Sequence, residues 1–419
     1  MPGGRATIDS TDPRGYTMAV TGTGELARDE IRYDPADPAT VRNPFAIYRR
    51  LREEAPVLHL ADKDVYVLSR FDEVWQAARD TDTFSSAQGL TYERDEIGQL
   101  GLVPTMVMLD PPVHTAYRRL VGRGFTPRQV STLEPAVRRF VVERLEQLRA
   151  DGSGDFVARF AGPLPSFIVA TYLGVPEEDR ARFDVWSDAI VSANAGGDIL
   201  RDAAGAVADL YTYFSELVER RRVEPGDDMI SDLIASNLDG EPVDLITILG
   251  YTFVMIAGGN DTGTGLLGGS AVLLTTHRDN RARLIDDPTL IPGAVEECLR
   301  LTSPVQGLGR TTTRDVTIAG TDIAAGSKVH LLYGAANRDP REFGADAEEL
   351  DVARSIPRLL TFGSGSHYCL GASAARLMGR VAFEELLRIM PDFAVDEAAA
   401  RYAPGAFVRR HASLPITSA

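Results

Sequence analysis

The sequence predicts a mainly α-helical protein with a small β-rich region. Three observations carry that expectation. From about Leu133 to Arg222 the chain is mostly amphipathic helix, broken at Gly152-Ser153-Gly154 and at Gly196-Gly197. From Leu245 to Thr276 it is apolar enough for a long buried helix, with Asp261 its single charged residue. Strand pairs are few and short. One is Val57-Leu58-His59-Leu60 with Val65-Tyr66-Val67-Leu68; the other is Thr317-Ile318-Ala319-Gly320 with Ile323-Ala324-Ala325-Gly326.

The bulk numbers bound the partners. A chain of 419 residues, 44% hydrophobic and 25% charged, has material for a sizeable globular core. A formal net charge of −16 argues against nucleic acid or an anionic membrane surface as a partner. Two cysteines, Cys298 and Cys369, argue against a disulfide framework and suit a reducing, cytoplasmic setting. Cys298 falls within a helical pattern and reads as a small core residue. Met1-Pro2-Gly3-Gly4-Arg5 opens the sequence without an apolar signal segment, and no membrane anchor is expected there.

Taken in order, residues 1–40 are rich in Gly, Thr, Asp and Pro and are expected to form a flexible arm, with 41–419 as one domain. The Gly-x-Gly of Val20-Thr21-Gly22-Thr23-Gly24 has no βαβ pattern around it and is assigned to the arm. Asn43-Pro44 starts a helix running to about Glu54, and another helix follows over Asp72 to Arg79. Phe84 to Met108 is a long loop of the kind that often carries function. Asp110-Pro111-Pro112-Val113-His114-Thr115-Ala116-Tyr117-Arg118 opens the next helix and puts His114 and Arg118 on one face. Phe183, Trp186, Ile190 and Val191 form an apolar stripe at helical spacing, which reads as core.

The long helix invites comparison with a membrane span. Asp261 at its centre and the polar Gly259-Asn260-Asp261-Thr262-Gly263-Thr264 argue instead for burial in a large soluble protein. Gly258, Gly259, Gly263 and Gly265 each cost about 1 kcal/mol relative to alanine in a helix interior. A local opening of the helix beside a ligand is expected to account for them. Further on, Glu297 and Arg300 form an i, i+3 pair, and Pro304 to Thr311 is extended.

The chain converges on Phe362-Gly363-Ser364-Gly365-Ser366-His367-Tyr368-Cys369-Leu370-Gly371. This glycine-rich loop presents one cysteine just before a helix rich in Ala, Leu, Met and Arg. Unpaired N–H groups at a helix N-terminus favour an anion, so the loop is expected to lower the pKa of the Cys369 thiol. Gly363 and Gly365 let the backbone turn sharply and lie against a flat ligand, and Phe362 is placed to shield the sulfur from water.

The string resembles, at every fixed position, the haem-binding motif Phe-Gly-x-Gly-x-His-x-Cys-x-Gly of bacterial cytochromes P450. Four further strings are similar to that family's in the expected order. They are Asp110 to Arg118, Gly258-Gly259-Asn260-Asp261-Thr262, Glu297-x-x-Arg300 with Arg354, and Ala336-Asn337-Arg338-Asp339-Pro340. The resemblance spans roughly residues 44–415 and implies the cytochrome P450 fold, a single catalytic domain wrapped around one haem b. It implies that Cys369 ligates the iron, where a thiolate favours O–O cleavage. His114, Arg118 and Arg310 would hold the haem propionates, with Phe362, Gly363 and His367 completing the cofactor-binding loop. The Gly258 to Thr262 groove would lie where O2 binds, Thr262 hydrogen-bonding the bound oxygen and Asp261 helping to relay protons. Glu297, Arg300 and Arg354 would form a structural triad; Leu350 stands where the family usually has Phe.

The activity implied is a monooxygenase that hydroxylates or epoxidises an apolar small-to-medium organic substrate, with electrons from a ferredoxin and its ferredoxin reductase. Phe253, Gly258, Val305, Leu308 and Phe407 would line the substrate pocket, with the Phe84 to Met108 loop and the lid helices that the resemblance implies between Leu133 and Arg222. Two alternatives belong to the same fold: a peroxide-driven or oxidative-coupling enzyme, against which the intact Asp261-Thr262 pair speaks, and a non-catalytic haem-binding protein. Charge adds one expectation. Arg118, Arg119, Arg123 and Arg128 occur without an intervening acid, as do Arg354, Arg358, Arg376 and Arg380. Those left over from internal pairing would form a positive face near Cys369 for an acidic iron–sulfur protein.

Overall fold

The computed structural model describes residues 31–91, 105–122, 124–193 and 199–418. Tyr33–Ala419 form one compact unit. The Gly-x-Gly string, Gly196, Gly197 and Arg123 lie outside the described residues. Within the stretch expected as an arm, Tyr33 is buried and packs on Tyr48, ring centroids 6.2 Å apart, and Pro38–Arg42 is a short helix.

The centre of the fold is the helix Leu245–Thr276, 32 residues long. Asp244 caps it by accepting a bond from the Thr247 N–H at 2.7 Å. The helix is continuous through Gly258 and Gly259, so the expected opening is not formed. Close packing explains most of the glycines instead. An ideal Cβ on Gly259 would lie 2.6 Å from Val169 Cγ2, one on Gly263 2.6 Å from Pro165 Cγ, and one on Gly269 2.6 Å from Thr302 Cγ2. Gly258 differs, having nothing within 4 Å of its ideal Cβ. Among the described residues no helix is long and apolar enough to cross a membrane.

Around this axis pack Glu134–Asp151, Pro163–Tyr172, Arg180–Ala193, Ile199–Val223, Ile291–Thr302 and Ala372–Ile389. Their inward residues, among them Val141, Leu145, Leu164, Leu267, Leu274 and Val381, form one large core. Burying each such side chain contributes about 1.5–3 kcal/mol. Phe183 and Trp186 of the apolar stripe belong to this core, against Phe214 and Tyr213. Of the glycine breaks, Gly152 takes φ 71° as a left-handed helix stop. Ser153–Asp155 then unexpectedly form a strand on Pro415–Thr417.

The β-rich region is a five-stranded sheet in the order Val57–Leu60, Val65–Leu68, Lys328–Leu331, Leu308–Thr312, Phe84–Ser85. The first pair is the expected hairpin, Val57 opposite Leu68. Val65–Leu68 and Lys328–Leu331 run parallel, and the remaining pairs are antiparallel. The second hairpin pairs Val316–Ile318 with Thr321–Ile323, and its turn residues Ala319 and Gly320 both have positive φ. A smaller core of Leu68, Phe71, Val329, Leu331, Tyr333 and Phe343 lies against this sheet.

A last hairpin, Arg401–Tyr402 with His411–Ser413, reaches the long helix. His411 is 2% exposed, its ring 4.4 Å from that of Tyr402, and neither ring nitrogen has a partner among the described residues. Burial first, then Arg409, pushes its pKa down to about 4, with Asp155 opposing. The unfolded chain takes up this proton near pH ~6.5, whereas the folded chain refuses it until about 4. The contribution to stability is therefore complete above pH ~6.5 and is lost as pH falls towards 4. His411→Asn is expected to narrow the drop in urea midpoint between neutral pH and about pH 5, as followed by circular dichroism.

Candidate active site

The cysteine loop is built by backbone geometry. Gly363 and Gly365 take φ 68° and 72°, values that favour glycine, and an ideal Cβ on Gly365 would lie 3.0 Å from Arg79 Cα. The Cys369 N–H donates to the Phe362 carbonyl at 2.8 Å and closes the loop. The sulfur has accessible surface, yet its surroundings are dense with protein, so that surface faces an internal void. Burial raises the thiol's pKa; the Gly371 and Ala372 N–H groups, Arg118 and Arg376 pull it down without prevailing. This corrects the expectation of a lowered pKa. The helix end acts as expected, but desolvation of the thiolate outweighs it. Phe362 is 8% exposed, with the Arg376 guanidinium 4.7 Å above its ring.

Beside the loop lies a site short of negative charge. His114 is 1% exposed, and neither of its nitrogens has a partner among the described residues. Its ring stands 4.2 Å from that of His367. Burial, then Arg310, His114 and Arg118, push the pKa of His367 down to about 3. Arg310 is 3% exposed, donates to the Gly309 carbonyl at 2.6 Å, and has no carboxylate partner among the described residues. Arg118 Nη2 donates to the Tyr368 carbonyl at 2.6 Å. Asp110 is spent mainly on the neighbouring loop, accepting from Ser85 Oγ at 2.5 Å and the Ser86 N–H at 2.9 Å. Two cationic arginines and two neutral imidazoles thus stand together, and a dianionic ligand edge would satisfy them.

Other expected site residues lie on the long helix. Thr262 is half-buried, and its hydroxyl donates to the Gly258 carbonyl at 2.7 Å. Asp261 is 3% exposed and forms an ion pair with Arg410. Asn260 is buried with neither side-chain polar atom partnered among the described residues. Val305 and Phe407 are brought together, through a Val305–Val408 bridge and the Gln306 N–H donating to the Phe407 carbonyl at 3.1 Å. Leu308 opens the adjoining strand, while Phe253 and Gly258 sit on the long helix.

The triad residues meet in the core. Glu297 and Arg300 are both 0% exposed and share two bonds of 2.7 Å. Arg354 Nε donates to Glu297 at 3.1 Å. Arg300 also donates to the Asn337 and Ala347 carbonyls, at 2.8 and 2.6 Å. Asn337 in turn accepts from the Leu360 N–H at 2.9 Å and donates to Thr361 Oγ1 at 2.9 Å, two contacts that hold the run into Phe362. Leu350 is buried nearby in the core, 4% exposed.

Four of the arginines counted towards a positive face are consumed by internal pairing. Arg358 pairs with Glu342 and Asp72, Arg376 with Glu296, and Arg380 with Glu134 and Glu384. Arg354 pairs with Glu297 and Asp346. Counting acids along the local sequence missed these partners because most come from other segments. Arg119 and Arg128 remain exposed. Residues that the sequence did not single out include Ser86, whose Oγ lies 3.3 Å from His367 Nε2, and Arg410. Ser86 carried no local signal beyond its place in the Phe84 to Met108 loop.

The sequence is 56% identical over 390 residues to cytochrome P450 130 of Mycobacterium tuberculosis, covering 91% of this chain and 96% of that one. The chain is a cytochrome P450. The cytochrome P450 family model matches residues 270–391. Vitamin D(3) 25-hydroxylase of Pseudonocardia autotrophica is 36% identical over 410 residues, covering 96% of this chain and 98% of that one. The solved structure of cytochrome P450 PksS from Bacillus subtilis 168 superimposes with a TM-score of 0.85 at 30% identity, covering 93% of this chain and 100% of that one. As a cytochrome P450 the chain is a haem b-dependent monooxygenase, of a family that uses O2 and redox partners. The residues present fit the cofactor. A cysteine faces a void, His114 without a partner among the described residues and Arg310 without a carboxylate among them stand near its loop, and Gly258 of the long helix has open space at its Cβ position.

Proposed function

We propose that this cytochrome P450 inserts one atom of O2 into an apolar small-to-medium substrate, with electrons from a ferredoxin and its reductase. The observation that carries the reading is a Cys369 whose surface faces a void, in a chain whose long helix carries a half-buried Thr262 next to a buried Asp261. Bound haem would supply the oxygen activation. Cys369 would hold the iron through its sulfur, giving up its proton on binding. His114, Arg118, Arg310 and His367 would hold the propionates, for which charge-assisted and forked hydrogen bonds suit arginine. Phe362 and Gly363 would keep the loop dry and close to the ring.

Asp261 would take a proton from water; Thr262 would leave its bond to the Gly258 carbonyl, pass its hydroxyl proton into the void, and recover the proton held by Asp261. An alcohol serves here because it both donates and accepts. Phe253, Gly258, Val305, Leu308 and Phe407 would line the substrate side, where apolar walls orient a substrate and exclude water. A relative named for vitamin D(3) supports an apolar substrate of that general size.

The test begins with apolar ligands, vitamin D(3) among them, screened for a change in haem absorbance. A responsive ligand is then turned over with ferredoxin and reductase. Thr262→Ala is expected to keep consuming electrons while product per electron falls about 10²-fold and hydrogen peroxide rises. Unchanged product per electron would remove Thr262 from the proton path.

A further inference from the structure

One face of the long helix is turned to the C-terminal hairpin. Asp261, Gly265 and Gly268 stand at i, i+4 and i+7 and so share that face. All three meet the hairpin. Asp261 forms its ion pair with Arg410; an ideal Cβ on Gly265 would lie 3.0 Å from the Arg409 carbonyl oxygen; one on Gly268 would lie 3.0 Å from His411 Nδ1. The two glycines therefore let the strand approach the helix backbone, and the strand delivers the Arg410 guanidinium to the acid.

The strand is tied down on every side. The Arg409 N–H donates to the Pro304 carbonyl at 2.8 Å, and the Ala403 N–H to the Arg410 carbonyl at 2.9 Å. The Arg409 guanidinium donates to the Val41 and Arg42 carbonyls and to Tyr402 Oη, each at 2.8 Å. The pair itself is nearly dry, with the side chain of Asp261 4% exposed and that of Arg410 15%. A buried carboxylate that loses its cation takes up a proton, because burial disfavours the charged form. Arginine guards against this because its guanidinium keeps its charge in proteins.

The geometry points to Arg410 as a positioning residue for proton delivery: from the C-terminal hairpin it holds Asp261 ionised, and so able to accept the proton that it passes to Thr262. This rests on the relay proposed above for Asp261 and Thr262. Arg410 acts through the acid with which it pairs.

The test has two readouts on the full, haem-loaded chain. The first is infrared difference spectroscopy of the resting protein at neutral pH, without turnover. Arg410→Met is expected to show a carboxylic-acid C=O band that is absent from the parent, from Arg410→Lys and from Arg410→Met/Asp261→Asn. The second is product per electron in the ligand assay above, expected to fall about 10-fold or more in Arg410→Met and to recover in Arg410→Lys. Arg410→Gln replaces the Met variant if that one does not fold. The inference is overturned if Arg410→Met shows no such band. It is also overturned if Arg410→Met leaves product per electron unchanged while Thr262→Ala lowers it, an outcome in which the relay stands. If neither variant changes the ratio, the relay itself is wrong.

Discussion

Cys369→Ala is expected to bring turnover down to background while leaving the protein folded. The loop that carries the residue is held by backbone contacts, Phe362 to Cys369 and Leu360 to Gly363, which the substitution does not touch. What is lost is the Cys369 sulfur, which faces the void. A second consequence follows from its protonation. Burial raises the pKa of the free thiol, so at neutral pH it carries its proton, and a metal ligand must give that proton up. Loading the wild-type chain with haem is expected to release about one proton per site in a weakly buffered titration. The Cys369→Ala chain is expected to release none. Equal release by both would mean that the thiol is not the group that binds iron.

Glu297→Ala is expected to be among the most destabilising single changes in the protein. Glu297 sits at 0% exposure between Arg300, also at 0%, and Arg354, at 9%. It also accepts the Asp351 N–H at 3.1 Å. Removing the acid leaves buried guanidinium charge without compensation, a loss of about 3–5 kcal/mol in comparable buried pairs. The damage should travel through Arg300 to Asn337, and from there to Leu360 and Thr361, so haem retention should weaken along with the urea midpoint. A midpoint within error of the parent would show that the triad does not hold this scaffold.

Contiguous strings were the legible part of this protein. The cysteine loop, the His114–Arg118 face and the Glu297–Arg300 pair are local patterns, and the structure places each where the pattern suggested. Their physics was less legible. The helix end does draw on the Cys369 thiol, but the protein packed around it prevails, and packing density cannot be read from a loop sequence. The glycines of the long helix looked like an opening; Gly259, Gly263 and Gly269 answer instead to Val169, Pro165 and Thr302. Each of those contacts comes from a segment remote in sequence. The same holds for charge, where runs of arginine without nearby acids found their partners elsewhere, Arg380 at Glu134 and Arg376 at Glu296. Arg410 had no signal at all, since its meaning depends on a hairpin docking against two glycines of a helix far upstream.

Cys369 is expected to place a thiolate on the iron of a functional haem. The most direct measurement is the absorption difference spectrum of the dithionite-reduced protein with and without carbon monoxide. A strongly red-shifted Soret band in the wild type, absent in Cys369→Ala, is the predicted result. Folded, haem-loaded wild-type protein without that band, or a Cys369→Ala chain that keeps it, would show that Cys369 is not the iron ligand.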